Sequence, residues 1–305
     1  MCDDVTETEA TAFLQGTPRQ SAAMSRRNFG RASAAAATLA VVPGCMAKPA
    51  PRRAAGKTAS RKVTITTPDG TADALFVYPR KGTNAGRHAA VVMWPDIAGL
   101  RDAYIAMGTR LAEAGYAVLV VNQYYRSAPA PILNTMAEWR TDAGQAKLKP
   151  MIAAITPDGI TRDAGAFVAW LDRQAEVDTA KKIGTCGYCM GGPYTFRTAA
   201  AAPARVGAVA SFHGASLVTE TPDSPHLLIA KSQAAYLIAI AQNDDERQPD
   251  AKTVLRAAAD AAKRAAEIEV YPAQHGWCTI DAPVYDKVQA ERAWARMLAL
   301  YQQAL

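Results

Sequence analysis

The stretch Thr185-Cys186-Gly187-Tyr188-Cys189-Met190-Gly191-Gly192 follows a short apolar run, Lys182 to Thr185, and leads into an alanine-rich segment, Gly192 to Ala201. A β-type run, a cysteine bracketed by glycines as G-x-C-x-G, and a helix-type run together predict a sharp strand-to-helix turn. Such a turn holds its central residue in a strained backbone conformation with neighbouring chain packed close, where a Cβ on either flank would clash. Cys189 then stands at a helix start, where the dipole favours thiolate over thiol. It is the candidate nucleophile.

Outward from this turn the chain alternates short apolar runs with helical patterns. Val63 to Thr67 and Ala74 to Tyr78, separated by Pro68-Asp69-Gly70, read as an opening hairpin. Ala89 to Trp94, Ala117 to Val121, Lys182 to Thr185, Val206 to Phe212, Tyr236 to Ala241 and Ile268 to Tyr271 have the length and content of buried strands. Helices fit over Ala103 to Ala114, Thr161 to Arg173, Gly192 to Ala201, Ala251 to Ala266 and Val284 to Gln302. This order predicts an α/β fold: a mainly parallel sheet of about eight strands with helices on both faces. In such a sheet, catalytic groups gather at the carboxyl ends of the strands.

A nucleophile needs a base, and the chain has 4 histidines. His275 lies just past the Ile268 to Tyr271 run, in Gln274-His275-Gly276, and is the candidate base. His213 also follows a strand but sits between turn and acid, so it reads as structural or supporting; His88 precedes its strand, and His226 lies in a proline-flanked loop. The acid should follow the Tyr236 to Ala241 run, which leads into Gln242-Asn243-Asp244-Asp245-Glu246. Asp244, the first acidic residue there, is preferred over Asp245. The order Cys189, Asp244, His275 is nucleophile, acid, histidine.

From about Arg61 to Leu305 the chain resembles the dienelactone hydrolase family, within the α/β-hydrolase fold. The matching pieces are Gly187-Tyr188-Cys189-Met190-Gly191-Gly192, Asn243-Asp244, His275-Gly276 and Trp94-Pro95-Asp96-Ile97-Ala98-Gly99. The resemblance implies hydrolysis of an ester or lactone through a Cys-His-Asp triad, with the backbone N–H groups of Ile97 and Met190 as oxyanion donors. Asp96 stands where the family usually has a glutamate that helps the thiol ionise; the alternative for it is a loop N-cap. Tyr124-Tyr125-Arg126 resembles the segment whose arginine meets a substrate carboxylate, so Arg126 and Tyr125 are candidate substrate-binding residues. Thr279 replaces the family's second arginine, which argues against dienelactone itself as substrate. No metal or organic cofactor is implied.

Of the 305 residues, 50% are hydrophobic and 20% charged, a composition suited to a buried core. Residues 1–60 hold 8 Lys+Arg against 4 Asp+Glu, the remainder 26 against 24, so the +6 net charge is concentrated in the leader. With no basic cluster interleaved with aromatics, nucleic acid is not an expected partner. Ser25-Arg26-Arg27-Asn28-Phe29 followed by the uncharged run Ala32 to Val42 resembles a twin-arginine export signal, which implies a periplasmic destination. Val42-Pro43-Gly44-Cys45 loosely matches a lipoprotein box, leaving lipidation of Cys45 or simple cleavage as alternatives. The run is too short to span a membrane. The expected organisation is a signal over 1–45, a tether over 46–60 and a hydrolase domain over 61–305. Two rival readings remain: a thiol redox protein using Cys186-Gly187-Tyr188-Cys189, and a non-catalytic envelope binding protein on the same fold.

Overall fold

The computed structural model describes residues 57–80 and 86–305. The expected export signal, with Arg26, Arg27 and Cys45, and the expected tether up to residue 56 lie outside the described residues. No helix among the described residues is long and apolar enough to cross a membrane.

The strands are β1 (Thr58–Thr67), β2 (Gly70–Pro79), β3 (Ala90–Trp94), β4 (Ala117–Val121), β5 (Ile183–Tyr188), β6 (Val206–Phe212), β7 (Ala235–Ala241) and β8 (Ala266–Tyr271). They form one 8-stranded sheet in the order β1-β2-β4-β3-β5-β6-β7-β8. Only the β1–β2 and β2–β4 pairings are antiparallel; β4–β3–β5–β6–β7–β8 is parallel throughout. From β3 the chain steps one way to β4 and then crosses to the other side for β5. The reversal opens a crevice beyond the carboxyl ends of β3 and β5, where open α/β sheets hold their ligands.

The helices are α1 (Asp102–Glu113), α2 (Met136–Trp139), α3 (Asp142–Ala153), α4 (Pro157–Leu171), α5 (Gly191–Ala201), α6 (Pro225–Leu228), α7 (Gln242–Arg247), α8 (Ala251–Ala261) and α9 (Lys287–Ala304). Helices α4, α5 and α8 contribute to the apolar cluster on one face of the sheet, α1 and α9 to the cluster on the other. Every residue of β3 and β4 is buried, with Val92 and Trp94 in the first cluster and Val91 and Met93 in the second. Cover on both faces is why these strands are unbroken apolar runs rather than alternating ones. Each fully buried large apolar side chain contributes about 1.5–3 kcal/mol.

The element boundaries depart from the sequence reading where local chemistry overrides periodicity. β1 begins at Thr58, so the described strand starts before Arg61. α4 starts at Pro157 rather than Thr161, because the Thr156 hydroxyl accepts the Gly159 N–H and caps it. α8 ends at Ala261 rather than Ala266, with Lys263 in the left-handed region (φ 57°) turning the chain into β8. α2, α3 and α6 were not anticipated, nor was α7, read as a turn.

Candidate active site

β5 runs on through Tyr188, and Cys189 follows with φ 53°. Positive φ at a non-glycine residue is a strained conformation that persists only where the surroundings over-determine it. Here the Cys189 N–H donates both to the Phe212 carbonyl (3.1 Å) and to His213 Nδ1 (3.1 Å), while the Cys189 carbonyl accepts from Gly192 N–H (2.9 Å) and Ala215 N–H (3.2 Å). The glycines are obligatory for the reason anticipated. A Cβ on Gly187 would stand 2.1 Å from the Gly191 carbonyl oxygen, and one on Gly191 would stand 2.4 Å from that of Trp94. The second contact presses the start of α5 against the end of β3.

The other two residues expected to work with Cys189 also follow strands. Asp244 lies in the first turn of α7, directly after β7, and its Oδ2 is 2.7 Å from His275 Nδ1. The Asn243 side chain accepts the His275 backbone N–H (2.8 Å), which fixes the histidine loop to the same turn. Asp245 points elsewhere, to Lys252 Nζ at 2.7 Å. The carboxylate at hydrogen-bonding distance from the His275 ring is that of Asp244.

His213, read from the sequence as supporting, links the two halves. Its ring meets the His275 ring edge-to-face at 4.9 Å between centroids, and the Trp277 ring at 5.1 Å. Because Nδ1 accepts the Cys189 N–H, the proton of the neutral ring is on Nε2. Burial, and then the neighbouring His275, hold its pKa well below the ordinary histidine value. His88 lies across the sheet at the amino end of β3, and His226 bonds the Ser224 hydroxyl at 2.7 Å.

Ile97 and Met190 flank the crevice from the β3 loop and the start of α5. Among the described residues neither backbone N–H meets a protein acceptor. Tyr124, not singled out from the sequence, joins the two segments: its hydroxyl donates to the Ile97 carbonyl (2.7 Å) and lies 3.4 Å from Met190 Sδ.

Three residues expected at the site hold protein partners in the structure. Asp96 was assigned to thiol activation, but both its carboxylate oxygens bind the Arg101 guanidinium, at 2.7 and 3.0 Å, and one also accepts the Ala98 N–H. Arg101, fully buried, places its remaining donors on Asp281 and the Gly99 carbonyl. Burial opposes its charge, but Asp96 and Asp281 outweigh that and hold its pKa above the ordinary range. The Asp96 carboxylate is thus a structural clamp tying the β3 loop to the segment after His275. The signal available in the sequence was an arginine, rather than a short polar residue, at the N-cap of α1.

Arg126 and Tyr125, expected at the substrate, are the other two. The Arg126 guanidinium instead grips Asp163 of α4 (2.8 Å from each of two nitrogens) and Asp69 of the β1–β2 turn (2.6 Å). The Tyr125 hydroxyl donates to Asp163 (2.7 Å) and bonds Thr67 (2.7 Å). These residues brace the opening hairpin against α4. Thr279 is buried too, 3.3 Å from the Tyr104 hydroxyl.

Cys186 and Cys189 are both free thiols and lie in opposite apolar clusters. Cys186 is buried in the cluster beside α1 and α9, where burial pushes its pKa up to about 12, whereas Cys189 belongs to the opposite cluster. Cys278, also buried, has its pKa raised well above the usual thiol value by burial. Among the described residues no group of acidic, histidine and cysteine side chains could hold a metal ion.

Comparison with known proteins agrees with this architecture. Residues 73–305 match the model of the dienelactone hydrolase family. A Methylorubrum extorquens protein named as a carboxymethylenebutenolidase is 24% identical over 249 residues, spanning 79% of this chain and 80% of its own. A Klebsiella pneumoniae structure named as a dienelactone hydrolase superposes with a TM-score of 0.70 at 22% identity, over 81% of this chain and 100% of its own. A dienelactone hydrolase-like promiscuous phosphotriesterase from metagenomic libraries gives 0.65 at 21% identity, over 82% and 99%. With eight strands in the order described and a family match across nearly all of the described body, the chain belongs to the dienelactone hydrolase family.

Proposed function

We propose that this protein hydrolyses a carboxylic ester or lactone through Cys189, His275 and Asp244. The observation that carries the reading is the 2.7 Å contact between Asp244 Oδ2 and His275 Nδ1, beyond the same sheet edge as the Cys189 turn. With its Nδ1–H donated to Asp244, neutral His275 has Nε2 as its basic nitrogen, and Asp244 stabilises the imidazolium once a proton is taken.

Cys189 Sγ attacks the acyl carbon as a thiolate, its proton passing to His275. The carbonyl π-electrons move to oxygen, and the Ile97 and Met190 N–H groups receive the resulting oxyanion. Collapse expels the alkoxide, which takes the proton from His275 and leaves a thioester on Cys189. His275 then deprotonates water for attack on that thioester, and the acid product departs as the thiol is restored. The names of the relatives favour a lactone. Arg126 is committed to Asp163 and Asp69, so the reading requires no carboxylate on the substrate.

Steady-state hydrolysis of p-nitrophenyl acetate by Cys189→Ala, Cys186→Ala and His275→Ala tests the reading. Cys189→Ala should be inactive, Cys186→Ala should keep most activity, and His275→Ala should be nearly as damaged as the first, because members of such a unit do not contribute additively. Wild-type turnover in Cys189→Ala would overturn the mechanism at its first step. Equal dependence on both cysteines would point back to redox chemistry.

A further inference from the structure

We propose that Gln123 is a positioning residue for the oxyanion hole, holding and polarising the peptide that supplies the Ile97 N–H. The inference deepens the proposed function and rests on its assignment of Ile97 as an oxyanion donor.

Gln123 follows β4 by two residues and is buried, 1% exposed. Its Nε2 donates to the Asp96 carbonyl at 2.7 Å and lies 3.5 Å from the Pro95 carbonyl. The orientation of the side-chain amide follows from these neighbours, because two carbonyl oxygens can be met only by the NH2 end. The Asp96 carbonyl and the Ile97 N–H are the two ends of one planar trans peptide. Whatever fixes the direction of that oxygen also fixes the direction of the hydrogen pointing the opposite way.

The same oxygen accepts the Gly99 N–H at 3.0 Å, and the hydroxyl of the next residue, Tyr124, takes the Ile97 carbonyl at 2.7 Å. The peptides on both sides of Ile97 Cα are therefore pinned by consecutive residues from the end of β4. A donor placed on a carbonyl also strengthens the N–H of the same peptide, by about 10–30% per bond.

Folding alone does not account for a glutamine here. Its Oε1 is buried with no protein partner among the described residues. An unpaired buried acceptor is destabilising, whereas an apolar side chain of similar shape would leave the Asp96 carbonyl still bonded to Gly99. The side chain is better matched to orienting a catalytic amide than to stabilising the core.

The test compares wild type, Gln123→Leu, Gln123→Glu and Cys189→Ala in stopped-flow hydrolysis of p-nitrophenyl acetate, with burst amplitude counting active sites. An oxyanion donor is typically worth about 10²–10³ in rate, and loosening one should forfeit part of that. Gln123→Leu should lower the acylation rate per active site about tenfold, with KM within about twofold and a Tm unchanged or raised. In Gln123→Glu the protonated carboxyl donates to Asp96 and the ionised one repels it. Activity relative to wild type should therefore climb as pH falls, a profile that a merely structural role would not produce. Full acylation rate in Gln123→Leu, with Cys189→Ala inactive, overturns the role of Gln123 and leaves the triad standing. So does a loss explained wholly by fewer active sites or a lowered Tm. Wild-type turnover in Cys189→Ala removes the underlying reading instead. If Gln123→Leu fails to fold, the pH profile of Gln123→Glu decides, and a flat ratio to wild type overturns the proposal.

Discussion

Replacing His213 with asparagine should remove a specific, calculable part of the acid sensitivity of this fold. His213 is fully buried, accepts the Cys189 N–H at Nδ1, and has a folded-state pKa well below 6.5, its ordinary and hence unfolded value. The folded protein keeps this ring neutral while the unfolded chain protonates it as pH falls through 6.5. The unfolded state then binds the extra proton, so stability is present above that pH and is lost below it. The unfolded side gains RT ln(1 + 10^(6.5 − pH)), which is about 0.2 kcal/mol at pH 7 and about 2 kcal/mol at pH 5. One residue thus accounts for a fall of at most about 2 kcal/mol over two pH units, the limit reached when the folded ring stays neutral throughout. Asparagine carries no titrating group, tolerates the φ of 39° found at this position, and can place Oδ1 near the site of Nδ1. Urea unfolding followed by tryptophan fluorescence at pH 7 and pH 5 supplies the measurement. Groups that titrate in both proteins cancel when the two pH differences are subtracted. Wild type should lose more than His213→Asn, by up to about 2 kcal/mol. A difference below about 0.5 kcal/mol would refute the picture of a buried neutral histidine behind Cys189.

Two further outcomes follow from the corrected ion pairs. Arg101→Met leaves the Asp96 carboxylate buried without its charge partner, and breaking such a pair should cost about 3–5 kcal/mol in urea unfolding; a loss under about 1 kcal/mol would mean the clamp is not structural. Arg126→Ala should cost about 2–3 kcal/mol through the stranded Asp163, whose pKa burial already raises. It should change kcat/KM for anionic and neutral esters by the same factor, and a selective loss on anionic esters would restore the substrate-binding role.

What the chain makes legible by itself is whatever depends on local order. The turn at Cys189 needs glycines at fixed offsets, because backbone from Gly191 and Trp94 passes where a Cβ would be. Buried parallel strands must be short apolar runs, and the residue after each one is automatically at the edge where ligands bind. That is why Cys189, Asp244 and His275 could be picked out in order without knowing which strands are neighbours. Partners of charged side chains are another matter. Arg101 reaches Asp281, 180 residues away, and Arg126 reaches Asp69 and Asp163, 57 and 37 residues away. Nothing in the spacing of these residues distinguishes a structural pair from a substrate-binding cation, since either use needs the same guanidinium on the same strand end. The sheet order, with β3 inserted between β4 and β5, is likewise settled only by three-dimensional packing. It is this order that sets Gln123 and Tyr124 beside the Ile97 peptide and His213 behind Cys189. A side chain's function there is fixed by which backbone passes within hydrogen-bonding distance, and that distance exists only once the strands have paired.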